Sequence, residues 1–110
     1  MSYPIREESD YSIIELTGDI DLSCSPAART TILGCLNSSK HVLVDMAGVT
    51  YIDSSGIASL VEGYQTAKRG SLKFGLVGVS EAAMSVLRLA RLDKVFPIHA
   101  SVEERLGEDG

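Results

Sequence analysis

The chain has 110 residues, a net charge of −5, 45% hydrophobic residues, 5% aromatics and no tryptophan. That length makes one domain, which buries roughly two-thirds of the surface its unfolded chain exposes, and the apolar content excludes a disordered chain. No run of Lys and Arg interrupts the acidic balance, which argues against direct binding to a nucleic-acid backbone.

The N-terminal MSYPIREESD carries acids where a secretion signal needs an apolar run. No stretch approaches the ~20 apolar residues of a membrane span. Cys24 and Cys35 are isolated, outside any C-x-x-C arrangement and with no His or carboxylate cluster to make a metal or catalytic site. The expectation is a cytoplasmic protein with reduced thiols and no membrane insertion.

Tyr11 to Leu16 is rich in β-branched residues and predicts a strand ended by Gly18, with Tyr3 to Glu7 pairing as a hairpin across Glu8-Ser9-Asp10. Ser25-Pro26 predicts a helix start, Ser25 as N-cap and Pro26 in the first turn, with Ala28, Ile32, Cys35 and Leu36 on one face. Asn37-Ser38-Ser39 closes it. His41 to Met46 is a nearly continuous apolar strand of the kind buried on both faces.

After Ala47-Gly48 comes VTYIDSSGIA, residues 49–58, which opens a second helix. Ile57, Leu60, Val61 and Tyr64 fall at i, i+3, i+4 and i+7, and Lys68-Arg69-Gly70 closes it. Leu72 to Val79 predicts a strand. Ser80-Glu81 opens a third helix with Ala83, Met84, Leu87 and Ala90 inward. Val95 to Ile98 predicts a short edge strand, because Pro97 cannot donate to a ladder. Ser101 to Glu104 is a capping box for a final helix, and Gly107 to Gly110 reads as a frayed tail. The order β-β-α-β-α-β-α-β-α predicts a single α/β domain over residues 1–110, a mixed sheet with flanking helices.

Serine is common at helix starts because its hydroxyl accepts from free backbone N–H groups. Ser25, Ser80 and Ser101 need no other explanation. Three features set Asp53-Ser54-Ser55-Gly56 apart. Asp53 already supplies a capping carboxylate, so two further hydroxyls are redundant. Gly56 costs on the order of 1 kcal/mol relative to Ala within a helix and is expected to let another molecule approach the backbone. The segment also follows a buried strand, near the C-terminal edge of the sheet, where α/β folds commonly place their working surfaces. A phosphoserine brings roughly −1.5 to −2 charges, which a helix N-terminus tolerates, so modification would leave the fold intact and change the surface.

GDID at residues 18–21, VLVDMAGVTYIDSSGIASLV at 42–61 and LRLARLDKVFPI at 87–98 together resemble the bacterial anti-sigma factor antagonists, which are STAS domains. The similarity runs in order over nearly the whole chain. It implies a mixed sheet with flanking helices and Ser54 as a phosphoacceptor. It also implies a partner that is both anti-sigma factor and ATP-using serine kinase, and a phosphatase that reverses the modification. Asp21, Asp53, Ser54, Ser55 and Gly56 are the expected partner-binding positions, with Asp53 holding the serine loop. ATP would belong to the partner. Gly75 and Gly78 lie in a strand pattern without the Lys-Ser/Thr of a phosphate loop, so no cofactor is expected. Nor is a metal. A monomer is the default expectation.

Three other readings compete with this one. The same fold could serve in a larger signalling assembly, or as an accessory subunit of a lipid-transport ABC system, in which the serine position often departs from Ser. A response-regulator receiver, suggested loosely by Asp45 and Lys94, conflicts with two strands before the first helix. A serine hydrolase would need Ser54 as nucleophile with His41 or His99 as base, and the Gly-x-Ser-x-Gly elbow is missing.

Overall fold

The computed structural model describes residues 3–109. Ser9-Asp10 turns the chain between β1 (Ile5–Glu8) and β2 (Tyr11–Ile20), which pair antiparallel with Glu8 opposite Tyr11. α1 (Ser25–Asn37) crosses to β3 (His41–Ile52), α2 (Ser54–Arg69) to β4 (Phe74–Val77), and α3 (Glu81–Leu89) to β5 (Ile98–His99). α4 (Val102–Asp109) closes the chain. The sheet order is β1-β2-β3-β4-β5, all pairs after the first being parallel. The predicted mixed sheet and element order are therefore those of the fold.

Alternation along the strands divides the core in two. Ile14, Leu16, Val42, Val44 and Leu76 face a large layer that includes Ala28 and Ile32 of α1, Leu60 and Ala67 of α2, and Ala83 and Leu87 of α3. Ile13, Leu43 and Val77 face the other way, with Tyr11, against Val102 and Leu106 of α4. This is why the Val42-Leu43-Val44 run is apolar without interruption: consecutive residues enter opposite layers, and each is fully buried.

The strands depart from expectation at their ends. β2 does not stop at Gly18. That residue takes φ +77° and the strand continues to Ile20 through register shifts at Glu15/Thr17 and Gly18/Asp19. β3 likewise runs past Ala47-Gly48 to Ile52, because a Cβ on Gly48 would lie 2.8 Å from Thr17 Cγ2, so glycine lets the irregular pair close. Since β4 accompanies β3 only as far as Asp45, the last rungs of β2 and β3 extend beyond it as a pair.

At the other edge, β4 is confined to Phe74–Val77 rather than Leu72 to Val79. Residues 92–96 form a helical turn in which Val95 and Phe96 N–H both donate to Leu92 O, so the last strand begins only at Ile98. Pro97 lies just before that edge strand rather than within it, its carbonyl accepting from Leu76 N–H at 2.9 Å. Ala90 is exposed rather than inward. α4 continues to Asp109 where a frayed tail was expected, and Gly110 lies outside the described residues.

Helices α1, α2 and α3 end alike. Lys40 N–H donates to Cys35 O, Leu72 N–H to Ala67 O and Leu92 N–H to Leu87 O, each a Schellman closure. Its left-handed residue is Ser39, Ser71 and Arg91 respectively. Gly70, expected to end α2 by virtue of its freedom, has φ −92°, and Ser71 beside it adopts φ 58°.

Candidate functional site

Adjacent strands β2 and β3 finish on the same rung, Ile20 opposite Ile52, and each is followed immediately by an aspartate. Both aspartates organise the turn into the next helix. Asp53 is the N-cap of α2, with extended backbone (φ −108°, ψ −171°), and its Oδ1 accepts from Ser55 N–H at 2.9 Å and Gly56 N–H at 3.2 Å. The Ser55 hydroxyl donates to the same oxygen. Asp21 Oδ1 accepts from the Ser23 hydroxyl at 2.7 Å, Ser23 N–H at 3.0 Å and Cys24 N–H at 3.2 Å.

The two loops are joined. Asp53 N–H donates to Ile20 O at 3.3 Å, and Leu22 N–H bonds to the Asp53 carboxylate. The Ser55 hydroxyl holds the Asp53 carboxyl below its usual range, against an opposing effect of burial and with help from the N–H groups of Gly56, Ser55 and Leu22. The Ser23 hydroxyl does the same for Asp21, again opposed by burial and aided by the Ser23 and Cys24 N–H groups. Both carboxylates are therefore ionised at neutral pH.

Against this background the two serines differ. Ser54 is exposed, and its hydroxyl makes no hydrogen bond among the described residues. Ser55 is half-buried and tied to Asp53. Gly56 is not the open position expected of it. A Cβ there would lie 2.6 Å from Ile52 Cγ1 and 2.7 Å from Ile20 O, so glycine lets α2 start against the strand ends, and no space is left for another molecule. The capping expectation for Ser25 is also corrected. Cys24 is the N-cap of α1 and gives no side-chain capping bond, Asp21 serves the loop instead, and Ser25 is buried with its carbonyl accepting from Ser59 Oγ. Ser80 and Ser101 do cap α3 and α4.

A model described as STAS domain matches residues 2–105. The chain belongs to the STAS domain family. Solved structures agree on the fold. An anti-sigma-factor antagonist (STAS) domain protein of Planctomyces limnophilus superposes with TM-score 0.86 at 24% identity, covering 96% of each chain. An anti-sigma factor antagonist of Mycobacterium paratuberculosis gives 0.84 at 23%, covering 97% of this chain and 92% of that one. The Bacillus cell fate determinant SpoIIAA, in its phosphorylated form, gives 0.77 at 15%, covering 99% and 100%.

Within this STAS domain, Asp21, Asp53, Ser54 and Ser55 come together at one end of the sheet. His41 sits at the opposite end of β3, its Nδ1 accepting from Lys73 N–H. Leu22 was missed. It stands 75% exposed between Asp21 and Ser23, an apolar side chain displayed beside two carboxylates. Its only trace in the sequence is a leucine that interrupts polar residues just past a strand end. Next to Ser55 a groove of about 300 Å³ runs between α1 and α2, past Pro26 and Ala58, to the Arg29–Glu62 ion pair (2.6 Å).

Proposed function

We propose that this STAS domain is an anti-sigma factor antagonist that works by docking and not by catalysis. Unmodified, it binds a cognate anti-sigma factor in the cytoplasm as a monomer and so releases the sigma factor. That partner is also a serine kinase, which transfers the γ-phosphoryl group of its own ATP to Ser54 Oγ, leaving ADP. A phosphatase hydrolyses the ester and restores the hydroxyl.

One observation carries this reading: Ser54 is the exposed, unpartnered hydroxyl of a helix start whose capping is already complete through Asp53. Asp21 and Leu22 would complete the docking surface, with Asp53 and Ser55 shaping it from behind. A phosphate added next to Asp53, at the strand ends that also carry Asp21, would meet like charge and would place a bulky dianion where the partner sits, while the N-terminal end of α2 keeps the backbone in place. The fold-level likeness to antagonists, one of them solved in a phosphorylated form, is consistent with such a switch.

Incubation with the candidate kinase and ATP, followed by mapping of the modified residue, tests it. A single phosphate on Ser54 and loss of binding are expected. Modification confined to another residue, or a phosphorylated protein that binds as tightly as before, overturns the proposal.

A further inference from the structure

At the far end of the sheet from Ser54, the fold assembles a surface that the linear sequence does not display as a basic run. α3 starts from Ser80, at the end where β4 finishes, and runs back, so its last turn and the following loop lie at the opposite end. There Leu89 is 86% exposed and Val95 45% exposed. Arg88, Arg91 and Lys94 surround them in sequence, all exposed, and none of the three side chains forms an ion pair or hydrogen bond among the described residues. Asp93, half-buried on the same turn, is the acid nearest in sequence.

Arg91 occupies the left-handed position of the Schellman closure, φ 60°. Glycine fits that conformation without strain, whereas an arginine is disfavoured by its Cβ. An unpaired guanidinium within four residues of two exposed aliphatic side chains marks this stretch as a candidate contact surface.

We propose that Arg88, Leu89, Arg91, Lys94 and Val95 form a second docking surface, whose occupant is an acidic protein segment carrying aliphatic or aromatic side chains between its carboxylates. Charge complementarity selects the carboxylates, since these cations stand out on a chain of net charge −5. Leu89 and Val95 select the apolar part. A nucleic-acid backbone would leave those two side chains unmatched, and an anionic bilayer would be repelled by the rest of the surface. The surface lies apart from Ser54, so its occupancy is independent of the proposed phosphoswitch.

The test is titration of the isotope-labelled full chain, followed by amide NMR, with a synthetic peptide alternating Asp or Glu with Leu. Polyglutamate, duplex DNA and phosphatidylserine vesicles are the comparison probes. The peptide should shift amides of residues 88–95 and spare residues 21–23 and 53–56, equally well when Ser54 is phosphorylated. Leu89→Ser and Arg91→Gly should each weaken it roughly ten-fold, Arg91→Gly being a variant whose backbone needs no rearrangement. Equal binding of polyglutamate, shifts of this surface by DNA or vesicles, self-association through it, or unchanged affinity in Arg91→Gly would each overturn the proposal.

Discussion

The hydroxyl of Ser55 donates to Asp53 Oδ1, the oxygen that also receives the Ser55 and Gly56 N–H groups. Two neighbouring serines are thereby given different work. Ser55 completes the cap, and Ser54 is left at the surface. Ser54→Ala should therefore fold with a stability within about 0.5 kcal/mol of the parent, resist phosphorylation and bind the anti-sigma factor constitutively. Ser54→Asp should bind more weakly. Ser55→Ala should still be phosphorylated at Ser54, with a lower Tm. Mass mapping, partner titration and thermal unfolding separate these outcomes.

Asp53 holds α2 to the strand ends, so Asp53→Ala should lower Tm by about 4–8 °C, the usual size of a lost cap in a domain of this length. Asp53→Asn, which keeps an acceptor oxygen, should lose less. The depressed acidities of Asp53 and Asp21 fix the sign of the pH dependence. Their stabilisation is complete above the ordinary carboxylate range near 4 and is lost as pH falls through the lower folded-state values. Urea midpoints measured between neutral pH and acid should fall less steeply for an Asp21→Asn, Asp53→Asn double variant than for the parent.

Gly56→Ala sets two effects against each other. Helix propensity favours alanine by up to about 1 kcal/mol, but the new Cβ would sit 2.7 Å from the Ile20 carbonyl oxygen, a backbone atom that cannot swing aside. Overpacking of that kind costs about 1–3 kcal/mol. The clash should win, with Tm reduced by roughly 5–10 °C in differential scanning calorimetry. An unchanged or higher Tm would mean that α2 can shift away from the strand ends.

Leu22 tests the proposed docking surface alone. It is 75% exposed, so Leu22→Ser should leave stability within about 0.5 kcal/mol. If it is an apolar anchor for the partner, affinity should fall roughly ten-fold or more in calorimetric titration.

Arg91→Gly should stabilise the fold. Relief of the left-handed strain is worth about 1–2 kcal/mol, and the larger entropy of glycine in the unfolded chain takes back about 0.4–1 kcal/mol. The balance is a gain of up to about 1.6 kcal/mol, visible as a Tm rise of a few degrees.

Residue pattern alone determined the element order, the mixed sheet, the double burial of Val42-Leu43-Val44 and the special character of Asp53-Ser54-Ser55. These follow from periodicity and capping chemistry, which act over a few residues. The reach of β2 past Gly18 and of β3 past Gly48 was decided only when Thr17 met Gly48 across the ladder, a contact between segments 31 residues apart in number. The same holds for Gly56, whose reason is the Ile20 carbonyl, and for Asp21, which displaced Ser25 as organiser of its loop. The difference between Ser54 and Ser55 is likewise tertiary. Both are serines at a helix start, and one is free because a neighbouring carboxylate, positioned by two strands ending on the same rung, has room for the other.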